Sequence, residues 1–338
     1  MTQDTRPPHA RLIQMGFGYR VSAMLHAAAH YRLADHLADG PKTAEELAAL
    51  TTTQPLALYR LMRTLADAGV FAEDEDARFT LTELGGALRS DAPGAARATL
   101  LFTIGEQHWL AWEKLVDTLA DGEPGIDKVY GETFFEHLRR HPAKMSLFNE
   151  TMVGIHGDDA PTIAAAFDFS RFATIDDVGC GTGNRLVAIL TRHAGVSGLL
   201  FDQPHVINEA RALYDGGALG TRLAFAAGSF FDAVPEGGDA YVLSHIIHDW
   251  PRDKALAILR AVRAAMTPGA RLLLIEMVLP GGPAPHPGKA LDMTMMVMLG
   301  GQERTRAEYA ELLAEAGFRL LDVTPTGTPA SVVEAELA

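Results

Sequence analysis

Ala173-Thr-Ile-Asp-Asp-Val-Gly-Cys-Gly-Thr-Gly-Asn184 sets the architecture of this chain. A short apolar run carrying an acid, Asp177, enters a loop with glycines at 179, 181 and 183, and helix-like sequence follows from about Thr182 to His193. That succession predicts a buried parallel strand, a tight turn and a helix N-terminus. Glycines are required where the backbone turns through positive φ and where a flat ligand must touch main chain. Dinucleotide loops read G-x-G-x-x-G and set a pyrophosphate on the helix N-terminus. Here the pattern is Asp-x-Gly-x-Gly-x-Gly. Leu199-Leu-Phe-Asp202 then reads as the next strand, ending in an acid placed where a ribose hydroxyl pair would be held. Taken alone, the loop is also compatible with a glycine-rich turn that binds nothing.

The chain after the loop alternates strand and helix, the texture of a doubly wound sheet. Gln203 to Leu213 reads as a helix, Arg222 to Ala226 as a strand, and Asp239 to His245 as the next strand. Pro251 to Met266 is a helix with Pro at its first position and Gly269 beyond its end. Arg271 to Leu279 reads as one long buried strand, Gly281 to Pro287 as a loop, and Lys289 to Leu299 as a methionine-rich helix. Thr305 to Ala316 is a helix, with final strands near Phe318 to Thr324 and Ser331 to Leu337.

Upstream the character differs. Residues 11 to 38 read as one long helix with an apolar face (Ile13, Phe17, Val21, Met24, Leu25, Ala28) and a second one from Leu12, Met15 and Tyr19. Two apolar faces call for two neighbours, and the pattern leaves open whether the second is this domain or another subunit. Thr43-Ala-Glu-Glu46 is a capping box opening a helix to Leu50, and a further helix runs from Leu56 to Ala68. Val70-Phe71 and Phe79 to Leu81 bracket the acidic Glu73-Asp-Glu-Asp76, giving the outline of a winged helix. Residues 1 to 91 hold nine Lys/Arg against twelve Asp/Glu, with the acids at the wing tip. Neutralised phosphates supply most non-specific DNA affinity, so this wing is expected to be structural or dimerising. From Arg97 to His156 helical pattern continues with Phe102, Trp109, Trp112, Phe134, Phe135 and Phe148 beside Met145 and Met152, readable as core or as the lining of a pocket for a flat ligand. Asp158 to Pro161 reads as its end.

The chain is 338 residues long, 48% hydrophobic and 21% charged, the composition of an ordinary globular protein large enough for two domains. A formal net charge of -14 argues against nucleic acid or an anionic membrane surface as a partner. No run approaches the ~20 apolar residues of a membrane span. A single cysteine, Cys180, precludes an internal disulfide and fits a reducing compartment, so the expected location is cytoplasmic.

Three strands deliver polar residues that a core does not explain. Ser244-His-Ile-Ile-His-Asp-Trp250 carries His248; Glu276 stands inside Leu272-Leu-Leu-Ile-Glu-Met-Val-Leu279; Glu303 lies in Gly300-Gly-Gln-Glu-Arg-Thr305. A histidine flanked by carboxylates is a general base with an orienter, because the acid fixes the tautomer and stabilises the imidazolium. His248 as a helix cap and Glu276 satisfied by a distant arginine are the plainer readings. His245 and His248 lack a third ligand at useful spacing, so no metal is expected.

These segments, with Gly228-Ser-Phe-Phe-Asp232, resemble the class I S-adenosylmethionine (SAM)-dependent small-molecule O-methyltransferases. That family includes plant caffeate and isoflavone enzymes and bacterial enzymes that decorate polyketides and other aromatic natural products. The resemblance covers essentially the whole chain. It implies an α/β fold with a Rossmann-like catalytic sheet at 161–338, an N-terminal, mostly helical winged-helix dimerisation domain at 1–96, and a helical connector at 97–160 that contributes to the substrate pocket. It implies SAM as cofactor, a small aromatic acceptor and a homodimer formed through the N-terminal helices. His248 matches the catalytic base, with Glu276 and Glu303 beside it. Gly179 and Asp202 match SAM contacts, Ser229 and Phe230 fall where adenine is held, and Ser244 falls at another cofactor contact. Asp177, Gly181, Gly183 and Gly228 complete the expected cofactor set. Phe148 and Met152 match substrate-lining positions, to which Trp109, Asp249, Met295 and Met298 are added. Cys180 replaces a commoner glycine, and Ser229 and Ser244 stand where plant members have an acid and a lysine. Relatives that hydroxylate or decarboxylate on this fold, a nicotinamide-dependent dehydrogenase and a ligand-sensing winged-helix regulator are the alternatives.

Overall fold

A computed structural model describes residues 6–156 and 159–338. The chain forms two compact units: Met1–Trp109 with Leu138–His156, and Leu110–His137 with Gly157–Ala338. The expected connector is thus divided between them.

In the first unit the expected single helix of residues 11–38 is three, Pro8–Gly16, Gly18–His30 and Leu33–Leu37. Glycines flank the first break at Phe17, where backbone entropy weighs against helix. At the second, Arg32 adopts a left-handed φ of 52°. The capping box at Thr43 forms in both directions and opens helix Ala44–Thr51. Helix Pro55–Asp67 and the wing strands Phe71–Glu73 and Arg78–Leu81 follow. Lys42–Thr43 adds a third strand that the sequence pattern did not reveal. Leu47, Leu58, Met62, Leu65, Phe71 and Phe79 fill the core. Leu12, Ile13, Met15, Phe17, Tyr19 and Val21 remain exposed, Leu12 to 70% and Met15 to 76%.

The second unit is built on a seven-stranded sheet. Its strands are β1 (Thr174–Val178), β2 (Ser197–Asp202), β3 (Leu223–Ala227), β4 (Ala240–Ser244), β5 (Arg271–Glu276), β6 (Phe318–Pro325) and β7 (Ser331–Leu337). The order is β3-β2-β1-β4-β5-β7-β6, parallel except for β7, which runs antiparallel to both β5 and β6. Strand β5 shows why the sheet is central: Leu272 and Leu274 face one apolar core while Leu273 and Ile275 face the other. Helices Arg252–Ala265 and Arg306–Glu315 cover the first face. Helices Asp159–Ala166, Asn184–Arg192 and Pro204–Tyr214 cover the second. The expected helix end at 158–161 is not seen: Asp158 lies outside the described residues, and Asp159–Ala166 is helical.

The order of strands reverses between β1 and β4. Crevices in such sheets open beyond the carboxyl ends at that switch point, which here means beyond Val178 and Ser244. The long strand expected at 271–279 stops at Glu276. Val278–Leu279 leave the sheet and pair in parallel with Arg304–Thr305. This small ladder brings the segment carrying Glu303 to the end of β5.

Candidate active site

The glycine loop follows β1 directly. Gly179 has φ 77°, and a Cβ there would stand 2.6 Å from Ile246 Cδ1 and 3.3 Å from Phe230 Cε1, so the position admits only glycine. Around Gly181 space is open. Asp202, at the end of β2, accepts hydrogen bonds from Gly181 N (2.9 Å) and Gln203 N (2.6 Å). Burial raises its pKa, and those two amides offset part of the effect. The acid thus sits against the glycine loop, as its place at a strand end requires. Gly228 N donates to Asp202 O (3.0 Å), and Ser229 Oγ accepts from Phe231 N (3.2 Å). Phe230 and Phe231 meet Trp250 edge-to-face, and Phe135 stacks on Trp250 with centroids 5.5 Å apart. Trp250 and Phe135 extend this aromatic wall beyond the residues expected to bind.

Asp177 is buried, and burial lifts its carboxyl to about 7 despite nearby Arg185. Its Oδ1 has no hydrogen-bond partner among the described residues. Arg185 reaches Ser244 Oγ through Nη1. Sequence reading missed this arginine, although a signal existed. On helix Asn184–Arg192 it precedes buried Ile189 by four residues and therefore shares the core-facing stripe. An open glycine loop, a carboxylate at the following strand end and an unpaired buried acid fit a nucleoside bearing a charged tail. Cys180 is free, and burial pushes its thiol up, which suits an inert side chain rather than a nucleophile.

Beyond β4, His245 takes a left-handed φ of 52°, and Ile247–Asp249 forms a single 3-10 turn presenting His248. Glu276 accounts for that turn. Its Oε1 accepts from the amides of Ile247 (2.9 Å), Ile246 (3.2 Å) and His248 (3.4 Å). Main-chain amides rather than an arginine engage Oε1, while Oε2 has no hydrogen-bond partner among the described residues. His248 Nδ1 lies 2.6 Å from Glu303 Oε1 and 3.6 Å from Glu276 Oε2, while Nε2 lies 3.3 Å from Asp249 Oδ1. Glu303 is positioned by the hydrogen bond its backbone N–H donates to Asp292 Oδ1 (2.8 Å), and the next residue, fully buried Arg304, donates to the carbonyls of Gln302 and Ile247. Gly301 is indispensable to this approach: a Cβ there would stand 1.9 Å from His248 O.

Burial pulls the His248 pKa down, but Glu276, Asp249 and Glu303 outweigh it and raise it to about 10. Burial in turn lifts Glu276 to about 7 and Asp249 to about 6, although the imidazolium draws both down. The expectation that His245 and His248 have no third ligand nearby is corrected: Glu276 places a carboxylate oxygen within 4.8 Å of both. Nδ1 of His248 is engaged by Glu303.

The remaining expected site residues divide between the units. Met295 and Met298 are buried on helix Gly288–Met298, which packs on helices Leu115–Asp121 and Gly125–Tyr130. Trp109, Phe148 and Met152 belong to the first unit, where Trp109 meets Tyr19 edge-on and Phe148 lies 5.4 Å from the Phe102 ring.

A doubly wound sheet with a glycine loop at its switch point and a histidine braced by acids defines a class of group-transfer enzyme. Comparison with known proteins makes it particular. Residues 112–319 match the O-methyltransferase domain and residues 13–91 the O-methyltransferase dimerisation domain. The chain belongs to the O-methyltransferase family. It is 40% identical to phenazine O-methyltransferase PhzM of Lysobacter antibioticus over 339 residues, covering 99% of both chains. The crystal structure of LaPhzM superposes with a TM-score of 0.92 at 40% identity, over 98% of this chain and 100% of that one. NcsB1, an O-methyltransferase from neocarzinostatin biosynthesis crystallised with SAM and 2-hydroxy-5-methyl naphthoic acid, superposes at 0.84 with 32% identity, over 94% and 96%.

Proposed function

We propose that this enzyme transfers a methyl group from SAM to a phenolic or enolic hydroxyl of a flat, polycyclic aromatic small molecule, with His248 as the base. The observation that carries this reading is the 2.6 Å contact between His248 Nδ1 and Glu303, at the carboxyl edge of the switch-point crevice. When bound, SAM would supply a methyl group on a positively charged sulfur, its carbon–sulfur bond breaking as the oxygen–carbon bond forms so that the sulfur departs as a neutral thioether. Asp202 is suited to the ribose hydroxyls, Gly179, Gly181, Gly183 and Gly228 to close backbone approach, and Ser229 and Phe230 to the adenine. The relatives that act on a phenazine and bind a naphthoic acid support an aromatic acceptor, as does the Phe135–Trp250–Phe231 wall. Phe148, Met152, Trp109, Asp249, Met295 and Met298 are the further candidates for acceptor contact.

The residues divide the proton's path simply. With hydrogen on Nδ1 donated to Glu303, the neutral imidazole keeps its lone pair on Nε2, where the acceptor proton goes. An isolated phenol near pKa 10 and an isolated histidine near 6.5 differ by about 3.5 units, a mismatch of about 5 kcal/mol. With the imidazole raised to about 10, the mismatch closes and transfer becomes nearly thermoneutral. The acids thereby keep His248 protonated at neutral pH. One proton must leave the His248–acceptor pair before methyl transfer, as an incoming phenolate or by titration of the imidazolium. Orientation of oxygen, carbon and sulfur in line contributes roughly 7–11 kcal/mol more.

The dimerisation domain and the exposed apolar residues of helices Pro8–Gly16 and Gly18–His30 support a homodimer. Among the described residues no helix is long and apolar enough to cross a membrane, and the cytoplasm is the proposed location. The test is incubation with SAM and a panel of hydroxyphenazines, hydroxynaphthoates, flavonoids and anthraquinones, read by mass. Products one methyl heavier, formed together with S-adenosylhomocysteine, support the proposal. Products that gain oxygen or lose carbon dioxide contradict it.

A further inference from the structure

The Gly300–Thr305 segment is tied on two sides. Toward helix Gly288–Met298, Gly301 N donates to Met295 O (3.2 Å) and Glu303 N to Asp292 Oδ1 (2.8 Å). Toward the turn that presents His248, Gln302 N donates to His248 O (2.8 Å). One side-chain nitrogen then spans the two segments: Arg304 Nη1 donates to Gln302 O (3.0 Å) and to Ile247 O (3.3 Å). Ile247 is thereby held through both its backbone groups, its N–H by Glu276 Oε1 (2.9 Å) and its carbonyl by Arg304. Arg304 is 2% exposed and among the largest fully buried side chains. A buried cation is costly unless hydrogen bonds and opposite charge surround it. Here its charge is felt by Asp292 and, together with those of Glu276 and Glu303, by buried Tyr309. Filling this space needs only an apolar side chain of similar volume. What the guanidinium adds is register between the segment that supplies the carboxylate and the turn that supplies the imidazole.

We propose that Arg304 is a positioning residue for methyl transfer: its guanidinium locks the segment carrying Glu303 to the turn carrying His248, and so keeps the carboxylate on Nδ1. This role rests on the base reading above, since Arg304 acts through Glu303 and His248. An arginine suits it because both hydrogens of one terminal nitrogen are used at once, each on a different carbonyl.

Two effects of Arg304→Met on His248 have opposite signs, and the pH profile tells them apart. Withdrawing a cation from the cluster raises the His248 pKa, whereas letting Glu303 drift from Nδ1 lowers it. The other groups facing His248 are Glu276, Asp249 and the His245 ring 5.3 Å away, all outside the Gly300–Thr305 segment. The measurement is kcat/KM against pH with one acceptor throughout, and S-adenosylhomocysteine affinity by calorimetry alongside. Arg304→Met should level off roughly 1–2 units below wild type, with turnover roughly 10²-fold lower and nucleoside affinity nearly unchanged. An inflection that stays in place or moves up overturns the proposal, whatever happens to rate or stability. Should Arg304→Met not fold, Arg304→Lys decides. Its ammonium ends one bond short of Nη1 and does not reach both carbonyls, so its inflection should again fall; an inflection at the wild-type position overturns the proposal. A wild-type profile with no inflection above the ordinary histidine range refutes the base reading itself, and the role of Arg304 falls with it.

Discussion

Replacing Glu303 with glutamine removes one of the charges that hold a proton on His248 while preserving side-chain shape. Opposite unit charges about 4 Å apart, at an effective dielectric of about 20, attract by about 4 kcal/mol, equivalent to about 3 pKa units. Part of that is recovered, because Glu303 also helps to push Glu276 and Asp249 up. Without it both acids stay ionised to lower pH and hold the imidazolium more firmly. The net effect is a fall of roughly 1–2 units from about 10. A proton must leave the His248–acceptor pair, so kcat/KM rises with pH and levels off above the His248 pKa. The Glu303→Gln variant should level off roughly 1–2 units earlier, and at a lower plateau. The introduced glutamine can also turn its amide NH2 toward Nδ1, which puts the ring hydrogen on Nε2, where the lone pair is needed. The assay is kcat/KM with labelled SAM across neutral to alkaline pH, using one acceptor throughout so that its own ionisation cancels. Identical inflections in both proteins, or a wild-type inflection near the ordinary histidine value, would refute the coupling.

Gly301→Ala places a methyl where His248 O stands 1.9 Å away, so the Gly300–Thr305 segment must retreat. Stability should fall by about 1–3 kcal/mol, seen in denaturant titration, with methyl transfer falling further because Glu303 retreats too. Leu12→Asp with Met15→Asp, at residues 70% and 76% exposed, should shift the protein from dimer to monomer in sedimentation, whereas an unchanged mass would place the interface elsewhere. Asp176 is held near pKa 7 by burial and by Asp239. Because the folded value lies above the unfolded one, its contribution to stability declines as pH rises from about 4 to 7. Asp176→Asn should therefore melt a few degrees higher than wild type at pH 8, with a smaller difference at pH 5; a pH-independent difference would contradict this.

Local rules made much of the fold legible. The Thr43 capping box, the Asp177 loop and the alternation after it each depend on residues a few positions apart, and each forms as expected. What failed depended on distance in sequence. Nothing within Arg271–Leu279 announces that Val278 leaves the sheet, since its partner is Arg304, and the pairing appears only once both segments meet. The Glu303–His248 contact spans 55 residues; residue chemistry points to a histidine flanked by carboxylates, but which oxygen meets which nitrogen appears only when the three segments come together. Arg185 was legible in principle from its place one turn before Ile189, but a charge near a helix start reads by default as solvated.

The most direct measurement is single-turnover methyl transfer by wild type and His248→Ala, with S-adenosylhomocysteine binding measured alongside. The variant's rate should be lower by about 10²–10⁴-fold, with nucleoside affinity nearly intact. Equal rates would show that proximity alone drives the reaction and that His248 is not its base.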